Sequence, residues 1–294
     1  MTQRIPRRRF LAGLASTGAF AVLSGTHAAD PNTPRAATAL DFPLVDFHVH
    51  LDNSTIDKVL ALPQAREVKL GIVEHAGTKE NKYPLVLSNN AELKAWLALL
   101  EGKPVYRGVQ AEWTDWMNCF SREALAALDY VLSDAMTFPG RDGQRVKLWE
   151  SDALPRIGLT EPEAFMNRYV DWHAEIMARE PLDIFANTTW LPSALAADYD
   201  RLWTTPRMQK VIDAAVKHGV ALEISASYEL PCLPFLKLAK AAGARFSFGS
   251  NGRYPNMGKL DYAVEMAKAL DLKRDDLFAP APDGQKAVQR RPWS

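Results

Sequence analysis

Phe42-Pro43-Leu44-Val45-Asp46-Phe47-His48-Val49-His50-Leu51 is an apolar run that ends in a His-x-His pair. The run predicts a strand, and on a strand residues two apart point to the same face. His48 and His50 would therefore aim two imidazoles into one pocket. Neutral imidazole is a good ligand for zinc, iron and their neighbours. Two histidines placed this way also serve packing and hydrogen bonding in ordinary strands, so the pair alone is a weak signal.

Outward from this run, strand-like and helix-like segments alternate, the pattern of parallel βα units. Further strand candidates are 68–75, 104–113, 130–137, 182–190, 220–225 and 245–250. Helical patterns lie between them. Residues 206–217 stop at His218-Gly219, residues 236–242 stop at Gly243, and 261–270 form the last clear helix. Residues 41–279 hold no Gly/Ser-rich break and no repeat, which suits one α/β domain, a distorted seven-stranded TIM-type barrel. Residues 280–294 read as an irregular C-terminal tail. Polar residues recur at the C-terminal strand ends: His48, His50, Glu74, His75, Gln110, Glu112, Asp134, Asn187, Glu223, Ser250 and Asn251. In a βα barrel those ends form the mouth where sites are built.

The N-terminal residues carry a different message. Arg7-Arg8-Arg9-Phe10-Leu11 is a twin-arginine pattern, followed by an apolar stretch to Leu23 and small residues through Ala28-Ala29. Residues 1–29 thus predict a signal peptide for the twin-arginine export machinery, and residues 30–40 a linker. The apolar stretch is too short and too broken for a membrane span. The expected location of the mature protein is periplasmic or secreted. The chain has 35 basic and 35 acidic residues. Loss of Arg4, Arg7, Arg8 and Arg9 with the leader leaves 31 against 35, a charge of −4. A mildly acidic protein argues against nucleic acid as partner. Cys119 and Cys232 are the only cysteines, and no motif joins them.

The ordered series of short motifs resembles the polymerase-and-histidinol-phosphatase (PHP) family of metal-dependent phosphoesterases. Asp46-Phe47-His48-Val49-His50 is similar to its opening His-x-His, and Gly71-Ile72-Val73-Glu74-His75 to its second motif. Residues 107–110, 129–132, 182–185 and 222–225 resemble its later strands. Phe248-Gly249-Ser250-Asn251-Gly252-Arg253 resembles its closing Gly-Ser-Asp-x-His motif. The likeness spans most of residues 42–275.

The family holds two or three metals, and residue by residue this chain keeps His48, His50 and His75 as ligands. Gln110 stands at a glutamate position, Met136 and Asn187 at histidine positions, and Asn251 and Arg253 at the final aspartate and histidine. Thioether and amide groups do not hold hard or borderline ions as carboxylate and imidazole do. The resemblance therefore implies a reduced site for one divalent ion, Zn, Mn or Fe, with a metal-free polar pocket as the alternative. Glu112 shares strand parity with Gln110, as Asp134 does with Met136. Either carboxylate would complete the metal shell or act as base. Arg253 forks match carboxylate or phosphate oxygens. Asn187 and Asn251 suit hydroxyls and carbonyls, and Trp113 and Trp190 suit the faces of sugar-like or aromatic ligands.

The expected function is a secreted metal-dependent hydrolase acting on a small polar or anionic substrate, a phosphoester by the resemblance. Two alternatives stay open. One is a metal-free lyase or isomerase on a sugar-like substrate; the other is a non-catalytic periplasmic binding barrel.

Overall fold

The computed structural model describes residues 40–292 apart from 53, 151 and 152. The expected leader, and the linker up to residue 39, lie outside the described residues.

Among the described residues nine strands follow one another: β1 (Val45–His50), β2 (Lys69–Ala76), β3 (Tyr106–Ala111), β4 (Tyr130–Asp134), β5 (Thr137–Pro139), β6 (Arg145–Lys147), β7 (Ile184–Ala186), β8 (Ala221–Ser225) and β9 (Phe246–Gly249). Seven of them form one parallel sheet in the order β1-β2-β3-β4-β7-β8-β9, while β5 and β6 make a separate antiparallel pair. Just past β9 the chain returns to β1. The N–H of His50 donates to the carbonyl of Gly252, and the N–H of Gly252 donates to that of His48, both at 2.9 Å. The sheet is thereby nearly closed, a TIM-like barrel of seven parallel strands surrounded by helices.

The strands read as apolar runs because both of their faces are covered. All five residues of β8 are buried, as are seven of the eight in β2. The helices carry the longer period. In the helix Pro162–Arg179 the buried set is Phe165, Met166, Tyr169, Val170, His173, Ile176 and Met177, a stripe at three- and four-residue spacing. The helix Thr205–His218 ends on Gly219 at φ 69°, a left-handed cap that suits glycine, with Lys217 and His218 in its last turn. Among the described residues no helix is long and apolar enough to cross a membrane.

The bottom of the barrel is an apolar floor of Phe47, Val73, Tyr130, Leu132, Ile184, Ala186, Ala221 and Phe278. Tyr130 spans it. Its hydroxyl donates to the carbonyl of Phe47 at 2.8 Å, and its ring meets Phe47 edge-on at 5.2 Å. Gly108 makes this possible, since a Cβ there would collide with the Tyr130 ring.

Two segments differ from the sequence reading. The strand expected over 130–137 stops at Asp134. There the carboxylate accepts from the N–H of Met136 at 2.9 Å, the chain turns, and Thr137 starts the β5–β6 hairpin. The strand expected over 182–190 contracts to Ile184–Ala186 because Asn187 takes a left-handed φ of 53°. Residues 280–292 include one helical turn, Ala287–Arg290, with Val288 buried and Arg122 donating to the carbonyls of Gln289 and Arg291. Cys119 and Cys232 are free thiols.

Candidate functional site

The site begins with an irregularity in β1. Asp46 pairs with Leu70 and Val49 with Ile72, so three steps on β1 face two on β2. The extra residue is a bulge, and it places Phe47 in the floor and His48 in the polar half of the barrel, both at the level of Gly71. Asp46 fastens it. Its buried carboxylate accepts from the N–H of His48 (3.1 Å), Ser250 (2.9 Å) and Gly258 (2.8 Å) and from the Ser250 hydroxyl (2.5 Å).

His48 is held by protein groups on both nitrogens. Nδ1 donates to Glu223 Oε1 at 2.7 Å and Nε2 to Gln110 Oε1 at 3.0 Å. Burial works against its charge, but the facing Glu223 carboxylate overrides that and raises its pKa. An imidazolium with two donors committed has no lone pair for a metal. Gly249 lets the pair form, because a Cβ there would collide with Glu223 and His48. Gln110 passes the chain of bonds onward: its Nε2 donates to Asp134 Oδ2 at 3.1 Å.

His50 stands in contrast. It is 1% exposed, and neither ring nitrogen has a hydrogen-bond partner. Burial above all, with the Arg253 cation adding to it, holds its pKa well below the usual value, so the ring stays neutral. His75 stacks beside it, ring centroids 4.8 Å apart, and His48 is 5.2 Å away. The Nδ1–H of His75 donates to Glu112 Oε1 at 2.5 Å, which leaves Nε2 as the acceptor.

Among the described residues, His50, Asp52 and His75 bring their ligand atoms within 4.8 Å of one another. They form a group able to hold a metal ion. Two imidazoles and a carboxylate suit zinc, iron or manganese and leave coordination positions open. His50 fits this role on its own evidence, since a buried imidazole with two unpaired nitrogens calls for a partner.

The remaining expected residues divide. Arg253 and Asn251 lie at the mouth. Arg253 Nε donates to Asp52 Oδ2 at 2.7 Å and Nη1 to the Asn251 side chain at 2.7 Å. Asp134 faces Gln110, and burial, then the Glu112 charge, pushes its pKa up to about 7. Asn187 is fully buried and committed to the framework. Its N–H donates to Glu223, its amide N–H to Met136 sulfur, and its oxygen accepts from Ser225. Trp113 packs on Trp172 at 5.4 Å, and Trp190 meets Tyr228 edge-on at 6.4 Å. Trp116, three residues beyond Trp113, is fully buried with its N–H on Glu180.

No protein-family model and no curated protein matches this chain. The site therefore rests on its own geometry.

Sequence reasoning missed Asp52 and Tyr83. Asp52 was within reach, because it extends the alternation to His48-x-His50-x-Asp52. Tyr83 lies in a loop with no pattern to mark it, yet its ring covers His75.

Proposed function

We propose that this chain is a PHP-like hydrolase that uses one divalent ion, held by His50, Asp52 and His75, on a small polar or anionic substrate. The observation that carries the reading is His50: a buried, neutral imidazole with two unpaired nitrogens beside His75 and Asp52. A bound ion would acidify a water molecule and polarise the scissile group.

The chain's own groups supply the rest. Glu112 fixes the His75 tautomer, and Tyr83 covers that ring from the loop side. Asp134, with its pKa near 7, holds or gives a proton at neutral pH. Arg253 and Asn251 offer N–H donors to substrate oxygens at the mouth. The resemblance carries phosphoester as the substrate class. The twin-arginine pattern of residues 7–11 carries periplasmic or secreted location, and that export route accepts a protein already loaded with its ion.

A second reading has its own support. Glu223, His48, Gln110 and Asp134 form a continuous bonded chain of acid–base groups, which suits metal-free elimination or isomerisation. One experiment separates the two. Protein recovered from its native host is assayed for metal content and for turnover of a phosphoester panel, before and after chelation. The hydrolase reading expects about one bound ion per chain, and activity that is lost on chelation and restored by zinc or manganese. Metal-free protein whose turnover survives chelation would sink it in favour of the acid–base chain.

A further inference from the structure

Glu112 and Asp134 also face a second space. A cavity of about 10 Å³ is lined by these two carboxylates, Thr137 and Glu180, with the rings of Trp113 and Trp172 at its side. That volume is room for one water-sized ligand. Two of its polar atoms have no protein partner: Oε1 of Glu180, a residue 3% exposed, and Oγ1 of Thr137, 6% exposed. The other Glu180 oxygen is committed, accepting from Trp116 Nε1 at 2.8 Å. Buried oxygens left in this way carry a desolvation cost that a bound polar ligand removes.

The ligand is a water molecule rather than a cation. Among the described residues the one group of three metal-ligating side chains close enough to share an ion is His50, Asp52 and His75. Glu112, Asp134 and Glu180 do not all three come within that reach of one another, whereas a water needs only two to four polar partners.

We propose that this cavity binds one water molecule that joins Glu180 to Asp134, so that the two carboxyl groups share a proton and form a relay behind the site. The transfer balances. The Asp134 O–H proton passes to the water oxygen while a water proton passes to Glu180 Oε1, and the reverse transfer restores the start. Thr137 Oγ1 holds the water in place. Burial pushes both carboxyl groups up to about 7, which keeps a proton available at neutral pH. Glu112, His48 and Glu223 are the charges that act on Asp134; Arg179, Asp115 and Arg291 act on Glu180. The relay does not depend on a metal at the histidines.

The test uses full-length protein and infrared spectroscopy of the carboxyl C=O band as pH is raised, with Asp134→Asn identifying the Asp134 contribution. The parent should lose a protonated-carboxyl band with its midpoint near pH 7. Glu180→Gln keeps an acceptor for Trp116 but removes the carboxyl group that shares the proton through the water, so the Asp134 band should change its frequency. Thr137→Val keeps both carboxyl groups and should shift the band by releasing the water. A high-resolution crystal structure should show one oxygen within about 3.2 Å of both Glu180 and Asp134. A metal ion there, an empty cavity, or a band unchanged in both variants would overturn the relay.

Discussion

Tyr83 lies flat on His75, with ring centroids 3.6 Å apart and planes 4° from parallel. The ammonium of Lys147 sits 3.6 Å from the same Tyr83 centroid. Two groups cannot share one face at that distance, so the phenol is sandwiched between imidazole and cation. Lys147 is fixed in turn by the carbonyl of Asn81 at 2.5 Å. His75 is therefore clamped by Glu112 at Nδ1 and by Tyr83 across its face.

Removing that cover should loosen the ligand. Tyr83→Ala is expected to weaken zinc or manganese binding by about tenfold in calorimetric titration. Tyr83→Phe keeps the stack and should bind nearly as the parent does. Equal affinity in the alanine variant would strip Tyr83 of any part in the site.

The histidines should separate by role. His50→Ala and His75→Ala are expected to bring metal content to background, measured by elemental mass spectrometry on folded protein. His48→Asn should keep its metal. It should lose about 3–5 kcal/mol of stability, because Glu223 is left buried without its cationic partner. Folded His48→Asn protein that takes up no metal would return His48 to the ligand set.

Glu112→Gln tests the orientation of His75. The amide oxygen still accepts, but without the carboxylate's charge the 2.5 Å bond is weakened, so metal affinity should fall by about 10- to 100-fold with the fold intact. An affinity unchanged by this substitution would mean that the contact does not fix the tautomer.

Acid stability should report on His173, far from the metal group in role. It is fully buried against Tyr169 and Phe185, and burial lowers its pKa from 6.5 to about 3. Between those values the unfolded chain binds a proton that the folded chain does not, so stability is lost as pH falls. The slope is about 1.4 kcal/mol per pH unit, starting near pH 6.5. In denaturant titrations at pH 7 and pH 4, His173→Phe should lose less stability than the parent across that interval. Parallel losses in both proteins would show that the ring is not the acid-sensitive group.

The seven barrel strands were legible because apolar runs bounded by helical patterns have a local cause. Their ends were less so. The stop at Asp134 comes from a side chain bonding its own backbone, and the stop at Asn187 from a single left-handed residue. Strand parity showed that His48 and His50 look the same way, and it said nothing of their partners. Glu223, which occupies His48, is 175 residues further along the chain. Asn187 was read as a substrate contact, yet Glu223, Met136 and Ser225 use its polar atoms. Trp116 shows the same limit, since its place in the core depends on Glu180, at the far end of a helix.

The bulge in β1 gives one rung of the barrel two inward side chains. Phe47 fills space below while His48 reaches across above; Gly71 on the neighbouring strand leaves room for Phe47, and Gly249 leaves room for His48. An evenly paired strand would have to choose between an oily residue and an ionisable one at that height. By carrying a single surplus residue, the chain gains an ionisable position without lengthening a strand or giving up a filler.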